Sequence, residues 1–183
     1  MKNRAVLTAI VVVVVLVLGW WLFGRGGKAS RVDLIERYGE AVKRPDPALF
    51  SVVEATLAGE TKKAISVNPA AGTRLIWKVR VPDDGWLWLS VGMKPETWEK
   101  EGDGIKFMVG VSDGRAFEPL FEQHLNPFAN QGDRKWVPVR VDLSTYAGED
   151  VEVIFNTFSS PAGKGDDQRN DLGLWGTPEI VVR

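Results

Sequence analysis

The sequence predicts a mainly β fold: an antiparallel β-sandwich of the jelly-roll type, behind one N-terminal transmembrane α-helix and a short stalk helix. Three patterns support this. Residues 5–23 contain no charged side chain, segments from Leu49 onward alternate apolar with polar residues, and Gly, Pro, Asn and Asp separate those segments. Alternation of period two is typical of strands with one buried face, and many short strands without a long helix indicate a sandwich.

Nine strands are expected after the N-terminal region. In one of them Val137, Val139 and Val141 share a face, while Trp136 and Arg140 belong to the other. One-sided burial of this kind favours antiparallel sheets. The expected strands are residues 49–57, 62–67, 73–81, 85–91, 104–112, 115–124, 134–142, 150–158 and 172–182.

The apolar run at residues 5–23 predicts a membrane anchor. As a helix its 19 residues span about 28 Å, close to the hydrocarbon thickness of a bilayer. Trp20 and Trp21 lie at its C-terminal end, where indole rings favour the headgroup layer, and they are the predicted membrane-interface anchors. A cleaved signal peptide is the alternative, but its apolar stretch is usually shorter and is followed by a small-residue cleavage site.

Basic residues flank the run on both sides, so their count does not decide the orientation. A short basic tail before a single anchor favours an N-terminus in the cytoplasm. We therefore expect a single-pass protein of the plasma (inner) membrane with a periplasmic, or otherwise extracytoplasmic, C-terminal domain. Residues 1–29 are expected to form a cytoplasmic tip, the transmembrane helix and a Gly-rich exit. Residues 30–47 are expected to form the stalk helix and a linker, and residues 48–183 the β-sandwich domain.

The stalk helix is predicted from spacing. Ser30 can cap a helix, and Val32, Ile35, Tyr38 and Val42 then recur at helical intervals before a Pro-Asp-Pro segment ends the pattern. Such a helix would pack on the domain or on the membrane surface. The alternative is a docking helix for a partner.

Charge and cysteine content exclude several classes of function. The first 30 residues hold four basic and no acidic side chains, which leaves 19 basic against 24 acidic residues in 31–183, a formal charge of −5. An acidic domain without Lys/Arg clusters argues against nucleic-acid binding. The chain has no cysteine, so disulfides, thiolate catalysis and Cys-ligated metals are excluded.

No catalytic set is recognisable, and we expect no enzyme activity. His124 is the single histidine and no G-x-S-x-G motif occurs, so a nucleophile–histidine mechanism has no support. Acidic pairs occur at 83–84 and 166–167, with Asp171 nearby. Turn or solvent roles are the first interpretation; a structural calcium ion bound in part by the 163–171 loop, or a glycosidase carboxylate pair, are the alternatives. No other cofactor is expected.

Eight tryptophans are many for 183 residues. Trp136 and Trp175 fit the sandwich pattern and are interpreted as core or edge residues. Trp86 and Trp88 are interpreted as core because both faces of a strand can be buried. Two other aromatic residues stand in polar segments, where they can contact a sugar or a protein, or else pack over the domain edge. They form the candidate interaction surface: Trp98 and Phe128.

Three segments resemble galactose-binding-like jelly rolls of the carbohydrate-binding-module type. They are GDGIKF at 102–107, WVPVRVDLSTYAG at 136–148 and DLGLWGTPEI at 171–180. The resemblance covers residues 75–183 and implies the sandwich fold. It carries no binding motif residue by residue, and this fold serves sugar binding, adhesion and structural roles alike.

Two functions are therefore expected. The first is a non-catalytic accessory subunit whose extracytoplasmic sandwich braces an integral membrane protein complex of the respiratory, photosynthetic or transport type. The alternative is a membrane-tethered carbohydrate-binding module that binds a glycan at the cell envelope.

Overall fold

The computed structural model describes residues 31–68, 72–159 and 167–183. The predicted transmembrane helix, with Trp20 and Trp21, lies outside these residues. Within the three described stretches, no helix has the length and apolar character that crossing a bilayer requires. Residues 31–183 form one compact unit.

The described residues form eleven strands, joined by turns and 3-10 helices. The prediction of a mainly β fold is confirmed. In chain order the strands are β1 (Val32–Asp33), β2 (Val42–Arg44), β3 (Phe50–Leu57), β4 (Glu60–Val67), β5 (Thr73–Arg80), β6 (Gly85–Met93), β7 (Ile105–Ser112), β8 (Phe117–Leu125), β9 (Val137–Asp142), β10 (Asp150–Phe158) and β11 (Gly173–Val182).

The strands form two sheets in which every pair is antiparallel. The first has the order β3-β4-β11-β6-β9, and the second has the order β2-β5-β10-β7-β8. The pairing register of β11 is irregular between Gly176 and Glu179, and different strands pair with β11 before and after this point. Strand β4 pairs with the part up to Gly176, and β1 pairs with the part that begins at Glu179.

Aromatic side chains from both sheets hold the sandwich together. The ring centroid of Phe155 lies 5.1 Å from that of Trp77 and 4.6 Å from that of Trp175, and Phe107 meets Trp175 edge-on at 5.0 Å. All four side chains are almost completely buried. Aromatic pairs at these distances add to the stabilisation that burial alone supplies. The placement of Trp175 in the core confirms its predicted role.

All nine predicted strands are present as β3 to β11, with differences of a few residues at their ends. The largest differences lie where a loop meets a strand. Strand β9 begins at Val137, three residues later than expected, and β6 continues to Met93, two residues beyond the prediction. Period-two alternation predicted these elements well because each has one face in the core.

The prediction of a stalk helix is wrong. Residues 32–33 and 42–44 are short edge strands, one in each sheet, and a turn and one 3-10 helix connect them. The carboxylate of Asp33 accepts hydrogen bonds from the backbone N–H groups of Ile35 and Glu36, which closes a turn where the helix was expected. Leu34 and Ile35 are buried in the core. Sheet pairing and this burial outweigh the weak local preference for a helix.

The core interpretation of Trp86 and Trp88 is also wrong. Their neighbours Leu87 and Leu89 point into the core, so the two indole rings lie half-buried on the outer face of the first sheet. The guanidinium carbons of Arg183 and Arg140 lie 5.0 and 4.8 Å from the ring centres of Trp86 and Trp88. Strict alternation leaves only one face of β6 for the core.

Leu34→Ala should lower the free energy of unfolding by about 2–5 kcal/mol, because it removes a fully buried side chain and leaves a cavity. Urea unfolding of the full chain measures this loss. Glu36→Ala, two residues away and exposed, is the matched control and should change the value by less than about 0.5 kcal/mol. Equal, small effects of both substitutions would contradict the docking of this segment in the core.

Candidate functional site

A groove lies on the outer face of the second sheet. It has a volume of about 540 Å³ and crosses the sheet from β2 over β5, β10 and β7 to the start of β8. The floor is apolar because Val42, Ile76 and Ile154 stand beside one another in register. Their neighbours along each strand point into the core, so alternation places these three side chains outside.

Phe117 supplies an aromatic surface in the groove. Its side chain is 41% exposed, and its ring lies so close to Gly110 of β7 that any Cβ there would overlap it. Gly110 is directly beside Ile154 in the sheet. The register between β7 and β8 shifts between Val109 and Gly110, which brings the first residue of β8 over the glycine. Because Gly110 has no side chain, the ring of Phe117 can pack directly on the backbone of β7.

Charged side chains stand around the apolar floor. Arg37 forms an ion pair with Glu40 at 2.6 Å and donates a hydrogen bond to the backbone carbonyl of Lys78. The Nε group of Arg74 donates to Oδ1 of Asn156 at 2.8 Å. These bonds hold two guanidinium groups at the rim. The other charged residues of the groove are Arg44, Lys78, Arg115 and Glu152.

The groove continues toward the turn that joins β7 to β8. A second depression of about 360 Å³ shares Lys78, Ser112 and Glu152 with the first. It extends to Asp113 and to Arg80, whose guanidinium forms an ion pair with Asp150 at 3.0 Å. The two depressions form one elongated surface, which suits a chain-like ligand better than a small compact one.

Trp98 and Phe128 lie in loops at one end of the sandwich. The side chain of Trp98 is half-buried against Leu57 and Trp136, and its indole N–H donates to the carbonyl of Met93 at 2.9 Å. Arg134 joins the two loops by donating to the carbonyl groups of Trp98 and Pro127. Phe128 is 46% exposed. The interaction roles of Trp98 and Phe128 stay predictions, and Phe128 offers more free surface.

His124 lies on β8, near the same end. Its Nε2 atom donates a hydrogen bond to the backbone carbonyl of Asp103 at 2.7 Å. Since a carbonyl only accepts, this bond places the proton on Nε2. The bond ties β8 to the loop before β7, so His124 has a structural role.

Two carboxylates, the buried Asp171 and the half-buried Asp103, lie in the loops before β11 and β7. Both oxygens of Asp171 and Oδ1 of Asp103 have no hydrogen-bond partner in the described part of the chain. Burial, with the nearby Asp103 and Asp167 carboxylates, raises the pKa of Asp171 to about 8. Burial and Asp167 also raise the pKa of Asp103. Asp171 is therefore protonated at neutral pH unless a cation binds there.

The calcium prediction concerned the loop 163–171, of which residues 163–166 lie outside the described residues. Calcium takes six to eight oxygen ligands, and Asp103 and Asp171 offer a few. Asp167 is engaged by Arg169 at 2.7 Å. Within the described residues, no three His, Cys, Asp or Glu side chains are arranged as metal ligands. Calcium stays a prediction.

The sequence analysis did not single out the groove residues. Phe117 fell inside an expected strand, and its position above Gly110 depends on a register shift that the sequence does not reveal. One signal was available: Arg74, Lys78 and Arg80 occupy the outward positions of β5, so one face of this strand is basic.

Comparisons with known proteins support the fold. No protein-family model matches the chain. An uncharacterised protein of Archaeoglobus fulgidus is 36% identical over 104 residues, which is 56% of this chain. The chain spans about a quarter of that protein's length, since the match covers 25% of it.

The solved structures that the chain resembles include carbohydrate-binding modules. A CBM61 module in complex with β-1,4-galactotriose superposes with a TM-score of 0.53 at 14% identity, over 78% of this chain and 88% of that chain. A CBM51 module from Clostridium perfringens in complex with methyl-galactose has a TM-score of 0.52 at 20% identity, over 82% of this chain and 99% of that chain. The CBM22-2 xylan-binding domain of Paenibacillus barcinonensis has a TM-score of 0.52 at 7% identity, over 84% of this chain and 99% of that chain.

These similarities define the class of the fold. The described domain is a jelly-roll β-sandwich of the kind found in carbohydrate-binding modules, which confirms the resemblance to galactose-binding-like domains. At identities of 20% and below they establish the fold alone, and they assign no ligand to this chain.

Asp171→Asn should flatten the pH dependence of stability between about pH 4 and 8. The folded-state pKa of Asp171 is raised to about 8, above the unfolded value of about 3.9, so its stabilising contribution is complete below pH 4 and is lost as pH rises to 8. In EDTA at pH 8, the variant should melt at least about 3 °C above the wild type.

Asp83→Asn is the matched control, because it removes an exposed carboxyl in a turn and should keep the wild-type pH profile. A wild-type profile in Asp171→Asn as well would contradict the assignment. A rise in melting temperature on adding Ca²⁺, present in the wild type and absent in Asp171→Asn, would show that this carboxylate ligates calcium.

Proposed function

We propose that the domain is a carbohydrate-binding module that binds a glycan chain in the groove of the second sheet. The observation that carries this proposal is the ring of Phe117, seated on Gly110 beside convergent charged side chains. An aromatic ring presents a flat apolar face, and the C–H face of a pyranose is flat and apolar as well. The surrounding guanidinium, ammonium and carboxylate groups can form hydrogen bonds with sugar hydroxyls.

The dimensions of the groove suit an oligosaccharide. Neighbouring strands are about 4.8 Å apart, and the ring of Phe117 lies over β7, three strands away from β2. The groove between them is therefore about 14 Å long, which is close to three sugar units. The ligands bound in two similar structures are a galactotriose and methyl-galactose. A galactose-containing glycan is therefore a reasonable first ligand to test.

We propose further that residues 5–23 anchor the chain in the plasma membrane and that the domain faces the extracytoplasmic side. The uncharged run and the tryptophans that follow it support this arrangement. A tethered domain on that side would meet the glycans of the cell envelope.

A second candidate is the accessory-subunit role. It is favoured by Phe128, an aromatic side chain that is 46% exposed on the loop after β8, whereas Phe117 of the groove is the first residue of that strand. Aromatic anchors of this kind are enriched at protein interfaces. Trp98 supports the role less, since it packs against the domain and its N–H is already bonded.

Phe117→Ala should weaken glycan binding at least about tenfold, because it removes the apolar face against which a sugar ring packs. Glycan-array screening of the full chain, followed by calorimetry on the best glycan, measures this. The protein should be kept in a detergent without a sugar headgroup. The control Phe128→Ala makes the same substitution in the loop after β8 and should retain wild-type affinity. If Phe128→Ala weakened glycan binding and Phe117→Ala did not, the binding site would lie in the loops.

Native-gel electrophoresis of solubilised membranes with mass spectrometry separates the two candidates. As a tethered module, the chain should migrate alone, near the size of one detergent-bound monomer. Stoichiometric co-migration with a large membrane complex, lost in Phe128→Ala and retained in Phe117→Ala, would support the accessory subunit instead.

A further inference from the structure

The groove has the opposite charge to the domain that carries it. Residues 31–183 have a formal charge of −5. The larger depression, in contrast, is lined by five basic and two acidic side chains. This separation concentrates positive potential in a concave surface, where it acts most strongly on a bound group.

Most of the basic side chains in the depression are uncompensated. Arg37 is neutralised by Glu40. Across the described ranges, the other four form no ion pair with a carboxylate within 4 Å. The remaining acid, Glu152, lies directly across from one of them, Lys78, in the register of β5 and β10. The four basic residues are Arg44, Arg74, Lys78 and Arg115.

One of these groups is held in place. The Nε group of Arg74 donates to Oδ1 of the buried Asn156, which leaves the terminal nitrogens of the guanidinium free to point toward the groove. A guanidinium offers paired N–H donors that match the two oxygens of a carboxylate or sulfate. Fixing one edge of the group lowers the entropy lost when the other edge binds a ligand.

The basic groups stand at a suitable distance from the aromatic ring. Phe117 covers Gly110 on β7, whereas Arg74 and Lys78 belong to β5, two strands away. Two strand spacings amount to about 10 Å, which is close to two sugar units. A glycan packed on the ring therefore places the acidic group of a neighbouring unit beside β5.

The shape of the surface favours a chain over a flat or bulky anionic partner. Ile76 and Ile154 on the floor are 9% and 4% exposed, so they are recessed below the charged rim. A lipid surface touches the rim and cannot reach this floor. A nucleic acid needs an extended basic stripe, whereas the continuation of this groove contains Asp113 and Asp150.

We infer that the groove selects acidic glycans, in which uronate carboxylates or sulfate esters contact the basic side chains of β2 and β5 while a neighbouring ring packs on Phe117. This inference rests on the proposed glycan-binding function and names its ligand class. Such ligands differ from the uncharged sugars bound in the two similar structures, galactotriose and methyl-galactose.

A matched pair of ligands tests the charge alone. Oligogalacturonate and its fully methyl-esterified form share one backbone and differ in the carboxylate. The full chain, in a detergent without a sugar headgroup, should bind the acid form at least ten times more tightly than the ester in 20 mM salt. The difference should shrink severalfold in 0.5 M NaCl, because salt screens exposed charges. An array with neutral, uronate-bearing and sulfated glycans extends the test beyond one backbone.

Charge-matched variants locate the effect. The double variant Arg74→Gln, Lys78→Gln should lose at least tenfold in affinity for the acid form. The control, Lys63→Gln combined with Arg140→Gln, removes the same charge from strands of the other sheet and should bind as the wild type does. Circular dichroism melting of each variant separates a lost contact from a lost fold.

The outcomes of these tests are distinct. Binding of neutral glycans only, or equal affinity for acid and ester, would overturn the inference and leave the proposed function intact. The absence of binding to any array glycan would overturn both. Binding to vesicles of anionic phospholipid, abolished by the double variant and unaccompanied by glycan binding, would also overturn both and assign the basic face to a membrane surface.

Discussion

The contact of Trp175 and Phe155 across the two sheets is the constraint on which the rest of the domain depends. These rings, with Trp77 and Phe107, fix which residues of β5, β7, β10 and β11 point inward. Because side chains alternate along a strand, the same packing forces every second residue outward. The groove is the outward half of this pattern. Trp77 lies between Ile76 and Lys78, and Phe155 lies beside Ile154, so core and site are two faces of the same strands.

The groove also depends on the N-terminal segment, whose structure the sequence analysis mistook for a helix. Val42 on β2 extends the apolar floor and Arg44 lines its edge, while Arg37 before β2 donates a hydrogen bond to the carbonyl of Lys78 on β5. Leu34 and Ile35 bind this segment to the core. A free stalk would leave β5 as an exposed edge, which sheets usually protect. The segment therefore completes the domain and shapes the binding surface at once.

The sequence predicts the strands well and the site poorly, for one physical reason. A strand such as β7 shows its structure through local alternation, since Ile105, Phe107 and Val109 must all meet one core. The seat of Phe117 depends on a register shift against β7 and on Gly110, which no local pattern encodes. Helical spacing likewise suggested a stalk because intervals of three and four occur by chance in short segments. Trp98 looked free in its polar segment, but packing against Trp136 is a long-range contact.

The arrangement of charge in the groove is costly for folding, and that cost is itself informative. Four basic groups without ion-pair partners among the described residues repel one another, and the outer face of a sheet is stable without them. Exposed apolar side chains add a second cost, since Val42 and Phe117 in the groove are 46% and 41% exposed. A ligand with both apolar faces and negative charges relieves both costs together. Features that lower the stability of a fold are concentrated at functional sites. This groove contains two such features, like charges without ion-pair partners and exposed apolar side chains that include the aromatic ring.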